Sequence, residues 1–276
     1  MMDRDVLVRD VGPRDGLQLV KTVLPTKVKL AWIRADVAAG VPEIEVCSFV
    51  PAKVIPQFAD AREVATEAAR IAGYVPSALV PNLRGAELAF ATGVPKVNYV
   101  LSISETHNMA NVRRTRAESV DGLRRIIALR DESFPGVRVG VGLATALGCA
   151  LQGTVPEAET LKVLEQVLDA GVDEVALPDT VGYAHPSQVR ALFGEAIRIC
   201  DDVPVWSHFH DTRGLGIANA LAALEAEGLQ TGVDIEALAE ARVIVEAALP
   251  GERLHGLVLK AGLPKGFVPA SPAAPE

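Results

Sequence analysis

The sequence predicts an α/β protein of the TIM type, a (β/α)8 barrel in which the eighth strand is missing. Short runs rich in β-branched residues alternate with longer helical patterns, which is typical of βαβ units and a parallel sheet. A Gly-Val pair ends three of the helical patterns, at Gly40-Val41, Gly93-Val94 and Gly171-Val172. One helix-to-strand turn is therefore repeated along the chain, which favours a barrel over a doubly wound sheet.

Seven segments are predicted as strands, each followed by a helix, as in a barrel. The strand segments are 5–11, 43–49, 74–80, 96–104, 137–144, 173–178 and 203–210. The first helix lies between Thr26 and Gly40, and the others cover 57–72, 84–92, 117–132, 156–170 and 186–200. Pro76 and Pro178 weaken two of the strands, because proline cannot donate a hydrogen bond to a neighbouring strand.

The eighth strand is the one element of a complete barrel that the sequence does not predict. Two helices, at 215–227 and 234–248, follow the seventh strand, and Gly228–Gly232 joins them without an apolar β-run. Such a barrel either closes with seven strands or stays open, with unpaired backbone at two edges. We expect residues 1–263 to form a single barrel domain and residues 264–276 a frayed tail.

Composition excludes several classes of protein. The 276 residues are 49% apolar and 22% charged, which argues against disorder. The net charge of −8 argues against nucleic acid or an anionic membrane as the main partner. The charged N-terminus, the lack of a long apolar run and three scattered cysteines predict a soluble, cytoplasmic protein without a disulfide framework or structural zinc site.

Two histidines at the end of the seventh strand are candidate metal ligands. His208 and His210 are two residues apart, so their side chains point to the same face of a strand. Two imidazoles at the carboxyl end of a barrel strand, next to Asp211, can hold one metal ion. A pair of histidines that are only hydrogen-bonded at a strand end is the alternative.

The segment after the first strand presents two more candidates. Gly12, Pro13 and Gly16 break the strand into a tight loop that exposes Arg14 and Asp15. Asp15 could be a hard oxygen ligand, and Arg14 could hold a carboxylate or a developing enolate oxygen. A turn with a surface ion pair is the alternative.

Two further carboxylates occupy strand positions. Glu45 lies inside the otherwise apolar second strand, so it is either functional or paired with an arginine such as Arg14. Asp179 closes the sixth strand, where it offers a polar group at the same rim or caps the next helix. Cys149 has no adjacent histidine to activate it as a nucleophile.

Seven segments together resemble one family. They are Val11–Gln18, Glu45–Phe49, Pro81–Gly85, Ser104–His107, Ala146–Cys149, Asp179–Gly182 and His208–Thr212. Their residues resemble hydroxymethylglutaryl-CoA lyase, within the wider group of metal-dependent carbon–carbon lyases and synthases on TIM barrels. The resemblance runs in order from residue 5 to 226 and again from 228 to 248.

The resemblance implies a mechanism. A divalent ion, Mg²⁺ or Mn²⁺, would be bound by Asp15, His208 and His210, and mixed oxygen and imidazole ligation fits either ion. The substrate would be cleaved between its α- and β-carbons in a retro-Claisen step, and Arg14 would stabilise the departing enolate. Glu45 would hold Arg14 or share in proton transfer.

The resemblance also assigns the remaining site residues. Asp179 would act in catalysis by orienting the substrate, and the substrate-binding residues would be Gln18, Asn82 and Thr180. The expected partner is an acyl-CoA substrate, as in leucine degradation, with no nucleic acid and no membrane; the resemblance allows a homodimer.

One departure from the family falls where the eighth strand is missing. Family members have an eighth strand there, then a loop with a cysteine thought to act in proton transfer and an asparagine that is a metal ligand. Here Ala226 runs almost directly into Glu227 and Gly228, so about thirty residues are absent, judged against one βα repeat. Leu19 and Pro178 are smaller departures.

Three functions follow from these observations. The first is a lyase that cleaves 3-hydroxy-3-methylglutaryl-CoA to acetoacetate and acetyl-CoA. The second is a lyase or aldolase acting on another branched 3-hydroxyacyl-CoA or a 2-oxo acid. The third is an impaired, non-catalytic relic that still binds metal or CoA thioesters, which the missing segment favours.

Overall fold

A computed structural model describes residues 6–212, 220 and 243–250. The strands are β1 (Arg9–Asp10), β2 (Glu43–Ser48), β3 (Val75–Val80), β4 (Lys96–Ser102), β5 (Arg138–Ala144), β6 (Glu174–Asp179) and β7 (Val205–Phe209). The helices are α1 (Thr26–Ala38), α2 (Ala61–Ala68), α3 (Leu83–Phe90), α4 (Glu105–Val112), α5 (Arg116–Ser133), α6 (Glu157–Asp169) and α7 (Pro186–Cys200). Residues 243–248 are also helical. None of these described helices is long and apolar enough to cross a membrane.

The chain divides into two compact units, and the first comprises Met1–Ser77 together with Gly228–Glu276. In this unit β1 pairs in parallel with β2, with Arg9 opposite Glu43. Every residue of β2 is buried, because α2 packs against it with apolar side chains such as Val64 and α1 packs in turn against α2. The burial of such side chains supplies most of the stability of a unit of this kind.

The second unit comprises Ala78–Glu227 and contains four consecutive parallel strands. β4, β5, β6 and β7 pair in the order of the sequence. The intervening helices each bury one apolar face, as α6 does with Val163, Leu164 and Val167. Because the strands are parallel, their carboxyl ends lie at one edge, where active sites of barrels are found.

The amino-terminal ends of these strands are closed by a buried ion pair. The Nζ of Lys96 on β4 contacts Oε2 of Glu174 on β6, and the indole N–H of Trp206 donates to the same oxygen at 3.0 Å. Gly140 on β5 lies against this group, since a Cβ there would be 2.8 Å from the Glu174 side chain. The polar groups at this end stabilise the fold, which leaves the carboxyl ends for chemistry.

The order and type of the elements agree with the prediction except in two places. β1 is limited to two residues instead of 5–11, and α4 was not predicted. Ser104 caps α4 by accepting a hydrogen bond from the N–H of His107 at 3.2 Å. Pro76 and Pro178 both lie inside strands, β3 and β6, despite their missing N–H groups.

Four predicted segments fall wholly or partly outside the described residues. The segment without an eighth strand, 228–232, and the tail at 264–276 lie there, as does the predicted helix at 215–227 except for residue 220, which is helical. The predicted helix at 234–248 is described only from 243 onward, where it is helical. The domain bounds 1–263 and 264–276 stay predictions.

Candidate active site

The loop after β1 is a tight π-helical turn from Gly12 to Gly16. The carbonyl oxygen of Val11 accepts hydrogen bonds from the N–H groups of Arg14 and Asp15, at 3.1 and 2.6 Å. A Cβ at Gly12 would lie 2.6 Å from the Trp32 ring on α1, so the loop can approach the helix this closely only with glycine there. The turn therefore fixes the backbone from which Arg14 and Asp15 project.

The Arg14 guanidinium is held between two carboxylates. Its Nε contacts Oε2 of Glu45 on β2, and its Nη1 lies 2.7 Å from Oδ1 of Asp15. The same Asp15 oxygen accepts a hydrogen bond from Nε2 of Gln18 at 2.7 Å. These four residues therefore form one hydrogen-bonded array, which we call the arginine array.

The neighbouring carboxylates keep the Arg14 guanidinium of the arginine array positively charged. Burial alone would lower the pKa of Arg14, but the negative charges of Glu45 and Asp15 outweigh it and raise that pKa above its usual value. The Arg14 side chain is 13% exposed and that of Glu45 only 4%. A fixed, permanently charged guanidinium of this kind is suited to stabilising developing negative charge on an oxygen.

A pair of carboxyls, of which Asp36 is buried and Asp10 partly exposed, supports the start of the loop. Asp10 at the end of β1 accepts a hydrogen bond from the Gly12 N–H at 2.7 Å. Asp36 on α1 is 1% exposed, and burial followed by the charge of Asp10 raises the pKa of Asp36 to about 9. Burial therefore favours the protonated form of Asp36, which is hydrogen-bonded to Asp10.

This pair makes stability depend on pH in a predictable direction. In the unfolded chain Asp36 is ionised above about pH 4, whereas in the folded protein it stays protonated up to about pH 9. Folding therefore becomes less favourable as the pH rises through this interval. Asp36→Asn removes the titration but keeps an N–H donor for Asp10. We expect this variant to raise Tm at pH 8 by at least about 4 °C in thermal unfolding.

The gain should fall to almost nothing below about pH 3, where Asp36 is protonated in both states. Asp121→Asn, on the exposed side of α5, is the matched control and should not change Tm at either pH. A gain for Asp36→Asn of equal size at both pH values would contradict the assignment of a raised pKa.

The two candidate histidines lie in the second unit and face one another. His208 is in β7 and His210 follows directly after it. Their Nε2 atoms are 3.2 Å apart, and their rings are perpendicular, with centroids 4.8 Å apart. This confirms that both side chains point to the same side of the strand.

The tautomer of His210 follows from its second nitrogen. Nδ1 lies 2.6 Å from the carbonyl oxygen of Thr180, which can only accept, so Nδ1 carries the proton and Nε2 of the neutral ring has a lone pair. Metal-binding histidines commonly have this arrangement. Two nitrogens bound side by side at roughly 2.2 Å from one ion would be about 3 Å apart, so the pair fits a metal.

The loop after β6 is ordered by Asp179. This carboxylate is fully buried and accepts hydrogen bonds from the N–H groups of Tyr183 and Ala184, at 2.9 and 3.0 Å. The α7 cap is instead His185, whose Nδ1 accepts from the Gln188 N–H at 3.3 Å. Asp179 therefore shapes the loop that carries Thr180.

The remaining candidates have local hydrogen bonds. Asn82 follows β3 and caps α3, because its Oδ1 accepts from the Gly85 N–H at 2.9 Å. Cys149 is buried and accepts hydrogen bonds from the N–H groups of Leu151 and Gln152, both at 3.3 Å. The side chain of Asn82 is thus engaged locally, and its predicted contact with substrate stays a prediction.

The structure groups the predicted residues within each unit. Arg14, Asp15, Gln18 and Glu45 form the arginine array in the first, while Thr180, His208 and His210 are connected in the second. The candidate ligands Asp15, His208 and His210 offer one carboxylate oxygen and two imidazole nitrogens, and each is half-buried. The sequence analysis does not identify Asp36 on α1 or Thr145 after β5, because no local sequence pattern distinguishes these two residues.

The family is established by comparison with known proteins. Residues 5–234 match the model of the HMGL-like family. The chain is 35% identical over 222 residues to a hydroxymethylglutaryl-CoA lyase of Bacillus subtilis, covering 80% of this chain and 74% of that protein. It is also 35% identical over 304 residues to the (R)-citramalyl-CoA lyase of Chloroflexus aurantiacus, covering 93% and 95%.

Comparison with solved structures points to the same family as comparison of the sequences. The HMG-CoA lyase of Acinetobacter baumannii in complex with coenzyme A and 3-methylmalate has a TM-score of 0.87 and 31% identity, covering 96% of this chain and 98% of that one. The HMG-CoA lyase of Bacillus subtilis also has a TM-score of 0.87, at 29% identity, covering 94% and 98%.

The parallel strands, the alternating helices and these likenesses define a TIM-type (β/α) barrel, as predicted. In such barrels the active site lies at the carboxyl ends of the strands, and the arginine array follows the end of β1. The chain belongs to the HMGL-like family and is an enzyme of the oxo-acid-lyase type.

Proposed function

We propose that this enzyme cleaves 3-hydroxy-3-methylglutaryl-CoA to acetoacetate and acetyl-CoA with the help of a divalent metal ion. The arginine array is the observation that carries this proposal. It holds a charged guanidinium in one orientation at the carboxyl end of β1, where the cleavage releases an enolate.

We propose Asp15, His208 and His210 as the metal ligands. A carboxylate and two neutral imidazoles suit Mn²⁺ or Mg²⁺, with positions left for substrate oxygens. The bound ion would act as a Lewis acid toward the substrate's oxygens. The 3.2 Å separation of the two Nε2 atoms and the Nδ1–H tautomer of His210 support this assignment.

Arg14 would stabilise the enolate of acetyl-CoA as the carbon–carbon bond breaks. Its Nε and Nη1 face Glu45 and Asp15, so we assign Nη2 to the substrate oxygen. Glu45 would keep the guanidinium in place, which its ion pair with Arg14 supports. Gln18 would fix the Asp15 carboxylate and contact the substrate from the same loop.

The second unit would contribute the residues that orient the substrate. Asp179 holds the loop after β6 through two backbone N–H groups, and Thr180 leads this loop. Asn82 follows β3 and would contact the substrate from the carboxyl end of that strand. We assign Asp179 to catalysis through this orientation, and Thr180 and Asn82 to substrate binding.

A second substrate, (R)-citramalyl-CoA, is favoured by one observation. The citramalyl-CoA lyase of Chloroflexus aurantiacus aligns over 93% of this chain, compared with 80% for the hydroxymethylglutaryl-CoA lyase of Bacillus subtilis, at the same 35% identity. Both substrates are branched 3-hydroxyacyl-CoA thioesters, so the same site residues would serve either.

Turnover of both thioesters with Mg²⁺ or Mn²⁺ tests the proposal. We expect acetyl-CoA to form from one of them, and Asp15→Asn to lower both Mn²⁺ affinity and kcat by at least about 10-fold, because a neutral amide is a weaker ligand than a carboxylate. Asp121→Asn is the matched control and should change neither. Full Mn²⁺ affinity in Asp15→Asn would exclude Asp15 as a ligand.

A further inference from the structure

Thr145 directly follows β5 and has an unusual backbone conformation. Its φ is +63°, in the left-handed region, and the residue is fully buried. A β-branched residue is strained in this region, and such strain persists only where the surroundings enforce it. The surroundings of Thr145 are therefore informative about what this position does.

Thr145 connects the carboxyl ends of three neighbouring strands. Its backbone N–H donates to Oγ1 of Thr180, after β6, at 2.7 Å. Its own Oγ1 accepts a hydrogen bond from the N–H of Ser104, after β4, at 3.0 Å and donates to the carbonyl of Ala144 at 2.6 Å. Backbone and side chain of one residue thus fix the ends of β4, β5 and β6 relative to one another.

Thr180 extends the connection to β7. Its carbonyl oxygen accepts the Nδ1–H of His210 at 2.6 Å. The next turn of the loop also contacts the end of β7, since Thr212 Oγ1 donates to the Val181 carbonyl at 2.7 Å. A Cβ at Gly182 would be 2.8 Å from the His210 carbonyl oxygen, so the two segments are in close contact. Thr180 is thus held by Thr145 on one side and orients His210 on the other.

We propose that Thr145 is a positioning residue that, through Thr180, keeps the His210 ring oriented with Nδ1 protonated and Nε2 available as a ligand atom. The use of Nε2 for a metal rests on the proposed function, but the orientation of the ring does not. The strain at Thr145 is explained by this role, because the left-handed conformation accompanies the hydrogen bonds that join four strand ends.

Two pairs of variants test the role of Thr145. Thr180→Val removes the acceptor for the Thr145 N–H while keeping the shape of the side chain, and Thr180→Ser restores the hydroxyl. Thr145→Gly relaxes the left-handed backbone and removes the hydrogen bond from the Ser104 N–H. Thr145→Ser keeps both a side chain at the left-handed position and this hydrogen bond. We expect Thr180→Val and Thr145→Gly to disturb the orientation of the His210 ring, and the two serine variants to keep the His210 tautomer and the Mn²⁺ affinity of the original protein.

The readout is the tautomer of His210 in the metal-free protein, measured by ¹H–¹⁵N NMR of the imidazole rings near pH 8, where an ordinary imidazole is neutral. The chain has five histidines, and His210→Gln identifies the His210 signal. His185, whose Nδ1 accepts a hydrogen bond and is therefore unprotonated, gives an internal reference of the opposite tautomer. We expect the Nδ1–H form of His210 to become a mixture in Thr180→Val and Thr145→Gly, with His185 unchanged.

Mn²⁺ titration separates this inference from the proposed function. We expect Thr180→Val and Thr145→Gly each to weaken Mn²⁺ binding by about 10-fold, as is usual for residues that hold a metal ligand in place. The variant that combines both substitutions should lose little further Mn²⁺ affinity, because the two residues act through the same hydrogen bond. If the original protein binds no Mn²⁺ but the tautomer changes as expected, the metal assignment fails and the role of Thr145 stands. An unchanged His210 tautomer in both variants overturns that role, even where Tm falls.

Discussion

Arg14→Lys is expected to lower kcat at least about 10²-fold while the protein stays folded. The guanidinium contacts Glu45 through Nε and Asp15 through Nη1, so its plane is fixed from two sides. Lysine keeps the charge but offers a single ammonium on a flexible stem, which cannot contact both carboxylates and an enolate oxygen in one orientation. Removing one fixed donor to a developing oxyanion typically costs about 10²–10³ in kcat. Steady-state turnover measures this loss.

Arg9→Lys is a matched control for that variant. Arg9 also pairs with a glutamate across β1 and β2, with Nε 2.6 Å from Oε1 of Glu43, but it lies at the start of the strand. We expect Arg9→Lys to keep kcat within about 3-fold, because Arg9 pairs with Glu43 at the start of β1 and is not part of the arginine array. Near-normal turnover in Arg14→Lys would show that another group stabilises the enolate.

Local patterns were sufficient to predict most of the fold. β6, predicted at 173–178 and found at Glu174–Asp179, is a short apolar run between glycine and proline signals. α4 was missed because Ser104–His107 was interpreted only as a motif, although serine followed by a glutamate is a good helix start. β1 is shorter than its apolar pattern, because residues 6–8 are not in a strand and the tight turn at Gly12 ends the strand at Asp10.

The sequence predicts contacts between site residues only where those residues lie close together in the chain. His208 and His210 are two residues apart, so strand geometry alone places them on one face. The pairing of Glu45 with Arg14 was one of two alternatives, since a buried carboxylate needs a partner but the sequence does not choose it. Asp36 and Asp10 are 26 residues apart, and the φ of Thr145 depends on neighbours from three strands, so neither could be found without the structure.

The segment after Ala226 is the strongest reason to expect impaired activity. The alignment to the citramalyl-CoA lyase spans 304 residues, 28 more than this chain contains, so that relative has residues with no counterpart here. Every residue of β7 is partly exposed, whereas β2 is buried throughout. In a closed barrel an eighth strand would cover the seventh, which carries His208 here.

Inserting the corresponding segment of the Chloroflexus aurantiacus citramalyl-CoA lyase after Ala226 is therefore expected to raise kcat/KM by at least about 10²-fold. The family resemblance places a fourth metal ligand and an acidic cysteine in that segment, and loss of a general acid alone typically costs about 10²–10⁴ in rate. A displacement of about 1 Å in the metal ligands on β7 and directly after it would cost about another 10²-fold. Turnover with Mn²⁺ is compared between the 276-residue chain, the chain with the insert and a chain with a Gly-Ser insert of equal length, which should gain nothing. Full activity of the 276-residue chain would show that the catalytic groups lie wholly in the residues it already has.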